Sequence, residues 1–76
     1  MPKIPIIPAK KLIKVLLKLE FIELRQKGSH KFFYRQSDNK ATAVPLHNKD
    51  LGKGLLKKIL NEIDLSVEEL IKLLKK

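Results

Sequence analysis

The chain contains no cysteine and no tryptophan among its 76 residues. Without cysteine, neither a disulfide framework nor a thiolate zinc site can form, and this composition suits the reducing cytoplasm, where we expect the protein to act. No apolar run approaches the roughly 20 residues that cross a bilayer, so we predict no membrane association. The first eight residues carry one lysine and three prolines in place of an apolar stretch, and we therefore expect no signal peptide.

Several motifs with well-known chemistry are also missing from the sequence. It has no P-loop, no dinucleotide fingerprint and no His-Glu-x-x-His pair. The two histidines, His30 and His47, lie 17 residues apart without acidic residues at ligand spacing, so we predict neither a metal nor a cofactor. The spacing of the serines, histidines and aspartates does not favour a Ser-His-Asp triad.

Acidic residues are scarce relative to basic ones. The chain has 17 Lys and Arg against 8 Asp and Glu, a formal net charge of +9, and only Arg25 and Arg35 are arginines. Lysine suits phosphate as a point charge, whereas arginine is the usual reader of bases, so the balance favours contact with a nucleic-acid backbone. The alternative is a lysine-rich surface that only keeps the protein soluble or forms ion-pair networks.

The spacing of apolar residues predicts three helices and three strands. The predicted elements are a helix at 9–19, strands at 21–26, 30–36 and 41–46, a helix at 55–63 and a helix at 67–74. Short turns at 27–29 and 37–40 imply an antiparallel meander, and Ser66-Val67-Glu68-Glu69 is a capping box for the last helix. We predict one α+β domain over 1–76, ordered α-β-β-β-α-α, with the helices on one face of the sheet.

Strand alternation assigns the side chains to the two faces of this sheet. In the first strand, Ile22 and Leu24 are expected to oppose Glu23 and Arg25. In the second strand, His30 shares its face with Phe32 and Tyr34, while Lys31, Phe33 and Arg35 point the other way. The proline-rich segment before the first helix is expected to be extended and to lie on the surface.

The triplet Gly28-Ser29-His30 is the strongest candidate for a functional site. Gly28 allows a tight turn and a close approach of the backbone to a ligand, and the Ser29 hydroxyl can donate or accept a hydrogen bond there. An imidazole gives and takes protons near neutral pH. The alternative is that His30 is an ordinary surface residue beside a turn, and the same applies to His47.

RNA is a substrate on which these residues could act. Its 2′-OH is an internal nucleophile beside the phosphate, so one group must remove that proton, another must protonate the leaving 5′ oxygen, and cations must steady the phosphate charge. Imidazole can do either proton transfer, lysines such as Lys27, Lys31 and Lys49 can supply the charge, and no metal is required.

Read in order, the motifs resemble the HicA family of toxins from toxin–antitoxin modules. The resemblance covers nearly the whole chain and rests on Arg25-Gln26-Lys27-Gly28-Ser29-His30, Val44-Pro45-Leu46-His47, Lys49-Asp50-Leu51 and Gly54, with Lys11-Leu12-Ile13-Lys14 before them and Leu65-Ser66-Val67-Glu68-Glu69-Leu70 after them.

The resemblance implies a fold similar to the double-stranded RNA-binding domain and a ribonuclease that cuts mRNA independently of the ribosome. It assigns the essential role to His30, and it implies a HicB antitoxin that binds and neutralises the toxin. With the residue chemistry above, the predicted RNA-binding residues are Lys27, Gly28, Ser29, Lys31 and Lys49. His47 is assigned either a supporting or a purely positional role.

The sequence departs from the family pattern at three positions. Glu20 stands where the family usually has the glycine before the first strand, and Asp64 replaces a glycine often found before the last helix. Leu55 stands where a threonine or serine commonly follows the glycine of the second helix, so no role is transferred to that position.

Two other functions are compatible with the residues. The protein could be a non-catalytic RNA-binding module, including an inactivated toxin neutralised by a protein partner, because the basic body and the sheet aromatics serve binding as well as cleavage. It could also be a protein-interaction adaptor, whose affinity for RNA would vanish at modest salt.

Overall fold

A computed structural model of the protein describes residues 3–46 and 51–75. The elements are α1 (Ala9–Lys18), β1 (Ile22–Lys27), β2 (His30–Arg35), β3 (Lys40–Pro45), α2 (Lys53–Glu62) and α3 (Val67–Leu74). The three strands form an antiparallel sheet in the order β1-β2-β3. The predicted α+β class and the α-β-β-β-α-α order are therefore confirmed.

The second helix begins two residues earlier than predicted, because Gly54 lies in its first turn rather than in the preceding loop. No helix in the described ranges is long and apolar enough to cross a membrane.

One face of the sheet is covered and the other is open. Phe33, Thr42 and Val44 are buried on the covered face, where they meet a core of apolar helix residues. On the open face, paired residues of the strands are Tyr34 with Ala41 and Phe32 with Ala43. Because paired residues of an antiparallel sheet share a face, His30, Phe32 and Tyr34 lie together on the open side, as alternation predicts.

A β-bulge in β1 changes the predicted side of one arginine. The register shifts between Glu23, which pairs with Phe33, and Arg25, which pairs with Phe32, so that Leu24 is the extra residue. Glu23 therefore lies on the covered side and Arg25 on the open side. The expectation that both share a face was wrong, because strict alternation ends at a bulge.

The N-terminal segment is extended, as predicted, but it is not purely a surface feature. Ile7 is buried in the core, and its backbone carbonyl accepts a hydrogen bond of 2.8 Å from the Leu51 N–H. This contact joins the segment before α1 to the segment before α2. The prolines keep the chain extended, but the Ile7 side chain is buried because removing its apolar surface from water lowers the free energy of the fold.

The first two helices end in the same way. After α1, Phe21 N–H donates to the Leu16 carbonyl and Glu20 N–H to the Leu17 carbonyl, and Glu20 has a φ of 70°. After α2, the same pair of bonds closes the helix around Asp64, which has a φ of 56°. Both ends are Schellman motifs, in which the left-handed position favours glycine. The two glycines missing from the family pattern thus fall on the two strained helix ends.

The last helix starts at the predicted capping box. The Ser66 hydroxyl accepts a hydrogen bond of 3.1 Å from the Glu69 N–H, and the Glu69 carboxylate accepts one of 3.5 Å from the Ser66 N–H. Leu70, one turn into α3, is fully buried. The local polar signature and the apolar face of α3 therefore agree on where the helix begins and how it packs.

Candidate active-site cleft

The turn between β1 and β2 presents His30 to solvent. Gly28 has a φ of 60° at the first central position of the two-residue turn, the pattern of a type II′ hairpin. The Gln26 side-chain amide donates a hydrogen bond of 3.1 Å to the Gly28 carbonyl. The Ser29 carbonyl accepts a hydrogen bond from the Leu46 N–H, which ties the turn to the far end of β3. The exposed His30 therefore starts β2 from a turn that is held on both sides.

His30 lies between two cross-strand neighbours. Lys27 pairs with it from β1 and Pro45 from β3. Pairing places the Lys27 side chain on the same face as the imidazole. A cation and an exposed imidazole thus stand side by side at the end of the open face.

A cleft of about 330 Å³ opens beside His30. It lies between α2 and the ends of β2 and β3, and its lining residues are His30, Ala43, Pro45, Leu55, Lys58, Ile59 and Glu62. The contribution of α2 to the cleft could not be predicted from the sequence, because Lys58 and Glu62 are distant from His30 in the chain and belong to an ordinary amphipathic pattern. Leu55, at the family's hydroxyl position, gives this cleft an apolar wall instead.

Glu62 is held in place from the covered side of the sheet. The buried Thr42 donates a hydrogen bond of 2.8 Å from its hydroxyl to the Glu62 Oε1. This bond fixes the end of α2 against β3. The cleft therefore contains one imidazole, one carboxylate with a fixed position and one lysine ammonium.

Lys31, another predicted RNA-binding residue, does not line this cleft. Lys31 lies on the covered side of the sheet, where its Nζ is 3.2 Å from the Glu23 Oε1, and its RNA-binding role stays a prediction. His47 and Lys49 lie outside the described residues. Within the described ranges, no group of three or more His, Cys, Asp and Glu side chains could hold a metal ion.

Among the described residues, shifted pKa values lie at the β2–β3 turn, away from this cleft. The hydrogen-bonded guanidinium of Arg35, whose Nη2 is 2.7 Å from the Asp38 Oδ2, lowers the pKa of the Asp38 carboxyl below its ordinary value. The same hydrogen bond raises the pKa of Arg35. This ion pair is part of the turn that ends in Asn39, at a φ of 55°.

Fold and site together define a small, basic α+β protein that presents an exposed histidine beside lysines at the end of an open sheet. The family model described as HicA toxin of bacterial toxin–antitoxin matches residues 9–65, which include every described element except α3. The chain belongs to the HicA toxin family. Membership makes it a toxin of a toxin–antitoxin system, whose module includes an antitoxin partner. A search of curated proteins gave no match.

Proposed function

We propose that this toxin is an endoribonuclease that cuts mRNA in the cytoplasm, independently of the ribosome and without a metal ion. The observation that carries the proposal is the exposed His30, held at the end of β2 beside Lys27 and facing a cleft that also contains Lys58. Membership of a toxin family supports an activity that harms the cell, and the net charge of +9 on the chain supports an anionic substrate.

His30 carries the proton transfer in this mechanism. The 2′ oxygen of the substrate attacks the adjacent phosphorus and loses its proton, a cyclic phosphate forms, and the bond from phosphorus to the 5′ oxygen breaks as that oxygen gains a proton. An imidazole at the cleft mouth can serve as the base or as the acid. Lys27 and Lys58 lie on either side of it and can stabilise the charge that builds up on the phosphate.

The turn before His30 holds the substrate backbone. Gly28 carries no side chain, and the space where a Cβ would lie is empty, so a phosphate can approach the main chain closely. The Ser29 hydroxyl and the Lys27 ammonium are the donors at this turn. Lys31 and Lys49 extend the proposed set of RNA-binding residues, and His47 supports His30 or only positions the chain around it.

The partner in this proposal is a HicB-type antitoxin with an acidic surface. Residues 1–60 carry a net charge of +10, so an acidic protein would be electrostatically complementary to the same basic part of the chain that attracts RNA. Such a partner would neutralise the toxin by competing with RNA for the cleft.

The test compares wild type with His30→Ala on a labelled mRNA fragment in the presence of a chelator. We expect His30→Ala to lower the cleavage rate at least about a hundredfold while RNA affinity is kept, because general acid–base catalysis contributes roughly 10²- to 10⁴-fold. Lys72→Ala, on α3 and away from the cleft lining, is the control variant and should cut normally. Added imidazole should restore part of the activity of His30→Ala, since the variant leaves the cleft open to a small base.

The substrate provides a second control. A 2′-deoxy nucleotide at the cut position should block cleavage, because the nucleophile is missing. Cleavage that survives either the deoxy substitution or His30→Ala would contradict the mechanism. RNA binding without any cleavage by wild type would favour the non-catalytic binding module, and loss of all RNA binding at modest salt would favour the protein-interaction adaptor.

A further inference from the structure

Three ring side chains form a row along β2 on the open face of the sheet. His30, Phe32 and Tyr34 alternate with residues of the covered side, so their Cα atoms are spaced by about 6.6 Å along the strand. Phe32 and Tyr34 are half-buried, and the row ends at the exposed imidazole. Aromatic residues at this spacing on a sheet face are the means by which some RNA-binding sheets stack successive bases.

The neighbouring strand leaves these rings uncovered. Ala41 pairs with Tyr34 and Ala43 with Phe32, so β3 places only methyl groups beside the two rings. The helix core packs on the opposite side, where Phe33 is 1% exposed, and α2 meets open-face residues at the cleft beside His30 and Ala43. Small residues beside large aromatics make a shallow, flat surface that a planar ligand can reach.

The rings are also held in position without a ligand. The Tyr34 hydroxyl donates a hydrogen bond to the Asn39 Oδ1, which fixes the far end of the row. The Arg25 guanidinium lies 5.1 Å from the centroid of the Phe32 ring. A planar guanidinium on a ring is itself a surface on which a base can stack, and its N–H groups can donate to phosphate.

The charge of this face selects an anion. Its described strand residues include Arg25 and Lys27 and no acidic side chain, because Glu23, the one acidic residue of the three strands, pairs with Phe33 on the covered side. Arg25 has no ion pair among the residues that the structure describes, so its charge is available to a partner. A cationic face with the Tyr34 ring and the Arg25–Phe32 stack fits a nucleic-acid strand better than an apolar protein segment.

We infer that the open face is a stacking platform for single-stranded RNA, on which the Arg25–Phe32 stack and the Tyr34 ring each receive a base and lead the backbone to His30. The inference rests on the proposed function and names its substrate class. It departs from what the resemblance to a double-stranded RNA-binding domain implies, because the bases of an A-form duplex are stacked inside the helix and cannot lie on protein rings.

The test measures binding, so that it does not depend on cleavage. Wild type, Phe32→Leu and Tyr34→Leu are titrated against a labelled single strand of 2′-O-methyl RNA and against a hairpin duplex of the same sequence. Leucine keeps apolar area and removes the ring, and we expect each variant to bind the single strand roughly 5- to 100-fold more weakly. Binding of the duplex should be weaker at the outset and unchanged by either substitution.

Two matched variants and one modified RNA sharpen the result. Tyr34→Phe keeps the ring and loses only the hydrogen bond to Asn39, so it should bind far better than Tyr34→Leu. Leu17→Ala removes an exposed apolar side chain from α1 and should bind like wild type. A strand of abasic sites should bind wild type and Phe32→Leu equally, because there is no base to stack. Circular dichroism and thermal unfolding show whether each variant is folded. If Phe32→Leu does not fold, the binding of Tyr34→Leu decides the test.

The outcomes separate this inference from the proposed function. Unchanged single-strand affinity in the folded leucine variants, or an equal loss for duplex and single strand, would overturn the platform even if His30 still cuts RNA. Ring-dependent binding of a single strand by a wild-type protein that never cuts would support the platform and refute the nuclease. Loss of antitoxin binding alone would assign the rings to the protein partner and overturn the inference.

Discussion

The two arginines of this protein each lie over a phenylalanine ring, but on opposite sides of the sheet. Arg35 lies 4.6 Å from the centroid of Phe21, which is 2% exposed, and its Nη1 also donates a hydrogen bond of 3.1 Å to the Leu19 carbonyl. Arg25 lies 5.1 Å from Phe32, and no hydrogen bond or ion pair fixes it among the described residues. The Arg35–Phe21 pair is therefore part of the packing at the edge of the core, whereas the Arg25–Phe32 pair is open to a ligand.

The two faces of the sheet differ in whether their cations have ion-pair partners. On the covered side, two cations form ion pairs within the protein: Arg35 pairs with Asp38, and Lys31 pairs with Glu23. On the open side, Arg25 and Lys27 keep their charge available. Stability therefore depends mainly on the buried residues of the covered face, and binding mainly on the open face, so a substitution of a buried or an open-face side chain should change chiefly one of the two properties.

The largest expected effect is the contrast between two adjacent phenylalanines of β2. Phe33→Ala should destabilise the fold by about 3–5 kcal/mol, because it empties a site in the core, and this is as much as the core of so short a chain usually contributes in total. Phe32→Ala should cost about 1 kcal/mol, since its ring is only half-buried. Chemical denaturation followed by circular dichroism measures both, and similar losses for the two variants would contradict the division between the faces.

The next effect is a gain in stability at the helix ends. Glu20→Gly should stabilise the fold by about 1 kcal/mol, and Asp64→Gly by somewhat less, because both positions have positive φ and aspartate tolerates that region better than glutamate. Thermal unfolding measures the gain. Glu20→Ala, which removes the carboxylate but keeps the strained backbone, is the control and should give no gain. Both glycine variants should cut RNA as wild type does, and altered cleavage would break the comparison.

The smallest effect concerns the pH dependence of the Arg35–Asp38 ion pair. The hydrogen bond from Arg35 lowers the pKa of Asp38 in the folded state, so the pair stabilises the fold at neutral pH. That contribution is lost as the pH falls through the lowered pKa, where the carboxylate is protonated in both states. Asp38→Asn should therefore be slightly less stable than wild type at neutral pH and equal to it in strong acid. The difference is small because the pair is solvent-screened.

A salt titration tests the origin of this last effect. The gap in unfolding free energy between wild type and Asp38→Asn at neutral pH should narrow at high ionic strength. A gap of constant size at every pH would indicate that the substitution acts on the turn through its shape and not through the charge of Asp38.

Much of the fold could be predicted from local chemistry. The capping box at Ser66 and the glycine turn at Gly28 each act within a few residues, and both appear where the sequence indicates them. Alternation likewise predicted the shared face of His30, Phe32 and Tyr34, because β2 runs without interruption between two neighbours. The start of α2 was less predictable, since Gly54 has a low helix propensity and the packing of Leu56 outweighs it.

The candidate site was harder to predict, because its parts come from distant places in the chain. Lys58 and Glu62 reach the histidine only through the packing of α2 against β3, which the Thr42 hydroxyl fixes. No local pattern distinguishes them from other polar residues of an amphipathic helix. The positions of His47 and Lys49 lie outside the described residues, so their predicted roles stay predictions.

The sequence by itself determined the order of the elements, the basic charge and the side of the sheet on which His30 stands. These properties follow from short-range periodicity and composition, which need no knowledge of partners in space. Only the tertiary structure decided which groups share the cleft with the imidazole. The tertiary structure also decided that Arg25 faces the open side, because the bulge at Leu24 depends on how β1 pairs with β2 and not on the residue sequence of β1 alone.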